Sequence, residues 1–511
     1  MDFLNPLLYL ALLFPLYLIS KHFHRKFKNH PPAPFLTLPL LGHLYLFKKP
    51  LHRALDNISS RHGPVLLLEF GSRKVLLVAS PSAAEECLSR NDIVFANRPH
   101  LMAGKHIGYN YTSLAWSSYG DHWRNLRKIV ALEILSTHRL QMLHEIRADE
   151  VNSMVRKVHE VCKADSHVEM KSYFFELTLN VMMRMIAGKR YYGENVEDIE
   201  EAKRFRAIVT DTFRLGGATN VGDFVPALKG VFKELENSLV ELQHRRDTFM
   251  QDMIKDCRKR MENDGDRHTE SAGKKKSFVE VLLSLQENEP EYYKDEIIRS
   301  LMLVMLAAGT DTSSGTMEWG LSLLLNHPQV LKKAQIEIDE RVGQGRLLEE
   351  SDLVNLPYLN CILKETMRMY PVGPLLIPHE SSEECTVASY RIPAGTMLMV
   401  NLYSIQRDPK NWDEPEKFRP ERFEGSEGVT RDGYKMMPFG SGRRSCPGES
   451  LGLRMVGLSL GSLIQCFDWE RIGGEMVDMT EGTGLSMPKA TPLTAICKAR
   501  PFVAGLLSQT A

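Results

Sequence analysis

Apolar side chains return every three or four positions through most of this chain. The pattern holds from about 120 to 260, with polar breaks at 163–166 and 216–223, and predicts a series of amphipathic helices. From Tyr293 to Asn326 it runs without interruption, roughly 50 Å of helix at about 1.5 Å per residue. The middle of this stretch, SLMLVMLAAG, is apolar on every side, so the helix is expected to cross the core rather than cover it. His327-Pro328 predicts its end, and Pro371 ends a further helix read from LPYLNCILKETMRMY. Strand signals are fewer. HGPVLLLEFGSRKVLLVASP, residues 62–81, carries two apolar runs around Gly71-Ser72 and predicts a β-hairpin. The charged stretch 261–277 predicts a solvated loop. The expectation is a mainly α fold with a minor β-sheet region. It forms one domain over 35–511, because no linker separates two self-contained patterns.

The amino terminus departs from this pattern. Phe3–Ile19, FLNPLLYLALLFPLYLI, is almost wholly apolar. As a helix it spans about 26 Å, close to the roughly 27 Å hydrocarbon layer of the endoplasmic reticulum. Lys21, Arg25, Lys26 and Lys28 follow and would keep the rest of the chain on the cytosolic face. No basic segment precedes the stretch and no small-residue cleavage site follows it. A single-pass transmembrane anchor over 1–20 is therefore expected in place of a cleaved signal peptide. Residues 21–34, ending in HPPAP, read as a basic, proline-rich hinge.

Composition changes this picture in two respects. Lys plus Arg equals Asp plus Glu, 64 each, so no basic excess points to nucleic acid as a partner. The eight cysteines are scattered and include no CxxC pair. Neither a zinc site nor a disulfide framework is expected, and a reducing compartment follows.

One cysteine stands in unusual company: FGSGRRSCPGE, residues 439–449. A helical apolar pattern begins after it, which puts Cys446 at or just before a helix N-terminus, with Pro447 suited to the first helical position. Free N–H groups and the helix dipole there favour a thiolate. Gly440, Gly442 and Gly448 let the backbone approach whatever the sulfur binds. Arg443 and Arg444 can fork onto carboxylates. Together these features suit haem, whose iron takes one proximal protein ligand and whose propionates need cations. On the residues alone two other readings stay open. Cys446 could be a nucleophile, for which no local motif supplies a histidine partner, or an inert core cysteine.

The stretch FGSGRRSCPG fits F-x-x-G-x-R-x-C-x-G at Phe439, Gly442, Arg444, Cys446 and Gly448. It resembles the haem-binding loop of the cytochrome P-450 monooxygenases. The resemblance implies haem b (iron protoporphyrin IX), with Cys446 as the iron ligand and Phe439 and Arg444 beside the porphyrin. In this class the thiolate favours O–O cleavage. Other stretches fall in the family's order. Trp123 and Arg127 of WRNLR, Arg98 of FANRP and His379 of IPHE resemble propionate-contacting positions, although many plant relatives carry arginine where His379 stands. Glu365 and Arg368 of KETMR, with Arg422 of FRPERF, resemble the family's buried structural triad. AAGTDTS, residues 307–313, resembles (A/G)-G-x-(D/E)-T-(T/S), which implies an oxygen pocket where Asp311 and Thr312 order water for proton delivery. Without the resemblance the same residues read as a satisfied helix kink.

MIAGKRYYGE, 185–194, and CPGE resemble one plant branch of the family. It contains isoflavone hydroxylases and enzymes that close methylenedioxy bridges on lignans, and some relatives oxidise terpenoids. The retained Thr312 favours hydroxylation over bridge closure. The resemblance further implies a pocket lined by segments near 100–116, 213–228, 303–308, 372–377 and 484–487, with Leu303, Ala307, Ala308, Leu375, Leu376, Ile377 and Met487 among its residues, hence O2 and a small lipophilic substrate. No GxGxxG fingerprint is present, so electrons from NADPH would arrive through an external flavoprotein reductase on the same membrane. Two rivals remain. Members that rearrange peroxides without oxygen or reductase often disrupt the threonine motif. A haem sensor or carrier would need neither Asp311 nor Thr312.

Overall fold

The computed structural model describes residues 6–163, 167–193, 199–218, 220–265, 276–425 and 433–509. The helices that matter for the site are α1 (Pro6–Phe27), α2 (Asp121–Glu133), α3 (Met170–Ala187), α4 (Asp295–Asn326), α5 (Pro357–Met369) and α6 (Glu449–Cys466). The long apolar run forms α4. His327 ends it and Pro328 opens the next helix, where its missing N–H costs nothing. Leu301, Leu306, Met317, Trp319 and Leu321 on α4 are fully buried. The helix crosses the main core against α3, α5 and α6, as its all-round apolarity requires.

The expected hairpin is β1 (Val65–Phe70) and β2 (Arg73–Val78), turned at Gly71, whose φ of +56° suits glycine. β2 runs parallel to β4 (Met397–Val400), and β3 (His379–Glu380) closes the sheet antiparallel to β4, in the order β1-β2-β4-β3. Almost every residue of β1, β2 and β4 is buried, because both faces are covered, so these strands read as apolar runs rather than alternations.

Three expectations meet a different outcome. The helix Lys233–Gly265 continues into the stretch read as a loop from 261, and Ser277 caps the next helix, Phe278–Asn288, in a reciprocal capping box with Glu280; residues 266–275 lie outside the described residues. Cys162 and Cys497 form a disulfide, with Cα atoms 6.0 Å apart, against the reading that no cysteines pair. The helix His144–Lys163 ends beside the strand Thr494–Ala499, a meeting that spacing in the chain cannot show. Finally, among the described residues no helix is long and apolar enough to cross a membrane. Residues 3–5 of the proposed span, and the side chains of 6–12, lie outside the description, so the anchor gains no support from it. The end of α1 is fastened to the sheet: Lys21 and Arg25 reach Glu69 at 2.7 and 3.1 Å, and Leu67 N donates to Pro32 O at 3.0 Å.

Candidate active site

The loop that carries Cys446 is pinned at its base by backbone contact. Gly442 has a φ of +70°, and a β-carbon there would lie 2.4 Å from Leu88 O. No other residue fits without displacing the backbone. The next two residues hold the same neighbourhood. Arg443 N donates to both carboxylate oxygens of Asp92, at 3.0 and 3.2 Å. Arg444 donates from Nε to Ala96 O at 2.6 Å and from Nη2 to Ser117 O, and its guanidinium lies 4.5 Å over the Trp123 ring. Cys446 N donates to Phe439 O at 2.8 Å, which folds the loop back on itself and leaves the cysteine exposed. α6 begins at Glu449, so Pro447 occupies the turn before the helix and not its first position. The sulfur's close neighbour is Gly448, where a β-carbon would come within 3.8 Å of Sγ.

Cations gather beside this loop. Arg98 is buried and donates to Ala115 O, Ile377 O and Pro378 O at 3.2, 2.8 and 2.8 Å. Trp123 and Arg127 lie one turn apart on α2, and Trp123 Nε1 donates to Leu114 O at 3.2 Å. Burial pushes all three guanidinium groups below their ordinary range. Arg444 adds to the effect on Arg98, and Arg127 adds to that on Arg444, which falls to about 10. Cys446 acts the other way on Arg127. None of the three arginines has a carboxylate partner among the described residues. His379, on β3, sets Nδ1 2.7 Å from Phe95 O, and burial followed by Arg98 and Arg444 keeps its ring neutral. One buried and two half-buried cations that oppose one another's charge suit an anion, and a pair of propionates beside the cysteine-bearing loop fits that demand.

The second group of candidate residues lies on α4. Val304, Ala307, Ala308, Asp311, Thr312 and Gly315 recur at helical spacing on one face, and each is partly or fully exposed inside a helix whose other faces are buried. Thr312 Oγ1 donates back to Ala308 O at 2.6 Å. Asp311 Oδ2 accepts from Ser486 Oγ at 2.7 Å; burial raises its affinity for a proton, and Ser486 and then Lys171 oppose that.

Comparison with known proteins agrees with this arrangement. The cytochrome P-450 family profile matches residues 31–495. Cytochrome P-450 81Q32 of Catharanthus roseus is 49% identical over 95% of both chains. Isoflavone 3'-hydroxylase of Medicago truncatula is 45% identical over 98% of both. The (+)-piperitol/(+)-sesamin synthase CYP81Q2 of Sesamum radiatum is 46% identical over 89% of this chain and 88% of its own. A zebra fish cytochrome P-450 solved with progesterone superposes with a TM-score of 0.75 at 25% identity, covering 88% of this chain and all of that one. This chain belongs to the cytochrome P-450 family. The P-450s are haem-thiolate monooxygenases, and the family implies haem as the cofactor of this one.

Behind the P-450 loop, Glu365, Arg368 and Arg422 come together as a network. Arg368 forks onto Glu365 with Nε to Oε2 at 2.7 Å and Nη2 to Oε1 at 2.9 Å, and Arg422 Nε reaches Oε1 at 3.0 Å. Glu201/Arg204, Glu296/Arg299 and Glu416/Arg419 share the i, i+3 spacing of Glu365 and Arg368, and none is an ion pair of this kind.

Two residues expected in the pocket are almost wholly buried. Leu303 and Met487, each 2% exposed, are packed into the main core. Trp319 Nε1 donates to Met487 O at 2.8 Å and holds that backbone against α4. Leu375 and Leu376 are half-buried, and Ile377 is 43% exposed. Val304 and Ser486 lie within the segments 303–308 and 484–487 expected to line the pocket, but neither was singled out. Val304 could have been found by counting back from Asp311 through Ala308 at helical spacing. Ser486 gives no local signal.

Proposed function

We propose that this monooxygenase inserts one oxygen atom of O2, by hydroxylation, into a small lipophilic plant specialised metabolite. The substrate class is a phenolic such as an isoflavonoid or lignan, or a terpenoid. The observation that carries the reading is the cluster of Arg98, Arg127 and Arg444 beside Cys446, cationic and without a carboxylate among the described residues. Haem, when bound, supplies an iron that binds and activates O2. Cys446 would hold the iron as a thiolate. Arg98, Arg127, Arg444 and Trp123 would hold the propionates, with neutral His379 as a hydrogen-bonding neighbour and Phe439 packed on the proximal side. Asp311 would take protons from solvent and pass them on beside the Thr312 hydroxyl. Val304, Ala307, Ala308 and Ile377 would meet the substrate with apolar surface. Glu365, Arg368 and Arg422 would keep the proximal side rigid.

Electrons would come from NADPH through a separate flavoprotein reductase. Residues 1–20 would anchor the chain in the endoplasmic reticulum membrane, 21–34 would join the anchor to the sheet, and 35–511 would form the catalytic domain on the cytosolic face. The apolar run Phe3–Ile19 and the basic residues after it support this placement. A second reading, oxidative closure of a methylenedioxy bridge, rests on the likeness to the Sesamum radiatum synthase.

The test is Cys446→Ala. It should abolish the thiolate-type, red-shifted Soret band of the ferrous–CO form, and an unchanged band would exclude Cys446 as ligand. Turnover of a substrate found by binding spectra should require NADPH and reductase. Turnover without them would favour peroxide rearrangement.

A further inference from the structure

The loop 484–487 is held by three elements at once. Met487 N donates to Val372 O at 2.9 Å, and Trp319 of α4 donates to Met487 O at 2.8 Å. At the end of the helix Ile199–Gly216, a β-carbon on Gly217 would lie 2.3 Å from Leu485 N, so the two backbones touch there. Two of these three contacts, at Val372 and Gly217, come from segments read as walls of the substrate pocket. From the middle of this loop Ser486 Oγ donates to Asp311 Oδ2 at 2.7 Å.

We infer that Ser486 is a positioning residue for Asp311: its hydroxyl ties the carboxylate to the loop that Gly217 and Val372 clamp, so that proton delivery follows the position of the pocket wall. The inference rests on the reading of Asp311 as the proton-delivering acid.

The chemistry has a definite sign. A hydroxyl donor on a carboxylate oxygen stabilises the ionised form. Burial does the reverse, and Lys171 on α3 is the other charged group that acts on Asp311. While the bond is made, it offsets part of the burial that favours the protonated acid, and it turns the Asp311 carboxylate toward the loop. When the wall shifts and the bond opens, the carboxylate takes up a proton from solvent more readily. It can then release that proton beside Thr312, returning to the carboxylate. A substrate pressing on 213–217 or 372–377 therefore moves the donor that restrains the acid.

The test uses the full-length protein with reductase and a substrate found by binding spectra. The variants are Ser486→Ala, Ser486→Thr, Gly217→Ala and Asp311→Asn. The first readout is the infrared band of the protonated carboxyl that Asp311→Asn removes, followed against pH. Product per NADPH against pH is the second. Ser486→Ala should move the midpoint of the band to higher pH. It should move the acid limb of coupling the same way and lower coupling at neutral pH by about tenfold, the loss of one charge-assisted hydrogen bond. Ser486→Thr, which keeps the hydroxyl, should restore both. Gly217→Ala, which changes neither partner but crowds Leu485, should shift both in the same direction as Ser486→Ala. In the Asp311→Asn background Ser486→Ala should add nothing. A wild-type midpoint and profile in Ser486→Ala would overturn the inference, and so would an effect that persists without the Asp311 carboxylate. If Asp311→Asn keeps full coupling while Ser486→Ala still moves the infrared midpoint, the proton-delivery reading falls and the positioning of Asp311 stands.

Discussion

Replacing Arg368 by alanine should cost the protein a large share of its stability, although the side chain lies behind the site. Glu365 and Arg368 are both 0% exposed. Their fork uses both carboxylate oxygens, and Oε1 also accepts from Arg422 Nε and Arg419 N at 3.0 Å each. Arg368 donates besides to Gln406 O at 2.7 Å and Pro415 O at 2.8 Å. Arg368→Ala removes the charge that Glu365 needs in a place water does not reach. Breaking one side of a buried pair in this way costs about 3–5 kcal/mol. Whole proteins hold only about 5–15 kcal/mol, so about a fifth or more of the total is at stake. Arg368→Lys keeps the charge but gives up the planar fork and a carbonyl, a loss of about 1.5–3 kcal/mol. The double variant Glu365→Ala/Arg368→Ala should be less damaged than the sum of its singles, because no lone buried charge remains. Urea midpoints followed by circular dichroism and by haem absorbance would measure all four proteins. An Arg368→Ala protein within about 1 kcal/mol of wild type would refute the reasoning, because no buried pair of this geometry breaks so cheaply.

Gly442→Ala combines left-handed strain of about 1–3 kcal/mol with the clash on Leu88 O, and should lower haem bound per chain; full occupancy at wild-type affinity would contradict the packing described for the loop. Glu481 is raised by burial, but hydrogen bonds from His52 and Arg53 outweigh it and hold the carboxyl to about 2. Its folded value lies below its unfolded one, so its contribution is whole above about 4.5 and drains as pH falls toward 2. Glu481→Gln should flatten stability across that window, and an unchanged slope would exclude the carboxylate as its source. Thiol reductant, or Cys162→Ser, should lower stability by about 2–4 kcal/mol by freeing the unfolded chain; identical midpoints with and without reductant would remove the Cys162–Cys497 staple from the account.

What could be read in the sequence was what local physics determines. α4 announces itself by an apolar run too uniform for a surface helix and a His-Pro stop. The Cys446 loop stood out by its glycines and arginines, but its reading as a haem loop came from the resemblance, since the residues alone left a nucleophile or an inert cysteine open. The failures come from register and from distance. Leu303 was carried over from the resemblance, yet one residue along a helix turns the side chain by about 100°, and Val304 is the one left partly exposed. The disulfide joins positions 335 apart. Arg98 is oriented by carbonyls of Ile377 and Pro378, and Asp311 by a serine on a loop without periodicity. In each of these the partner is supplied by the tertiary fold alone.

The site lies where two separately packed regions meet. Leu88, Phe95, Met437 and the buried faces of β2 and β4 form one apolar cluster, and the Cys446 loop is fastened to it through Leu88, Asp92 and Ala96. α4, α3 and Trp123 of α2 belong to the main core. Two of the cations bridge the seam: Arg444 stacks on Trp123 from the first region, and Arg98 joins Ala115 to Ile377. These bridging groups carry positive charge, Arg444 opposes that of Arg98 and Arg127 opposes that of Arg444, so the seam is favourable ground for an anion. A dianionic ligand held there favours the folded state in proportion to its affinity and neutralises the repulsion across the join. On the proposed function the arginines that would hold the propionates also join the two regions, so loss of the cofactor should loosen the Cys446 loop before it loosens α4.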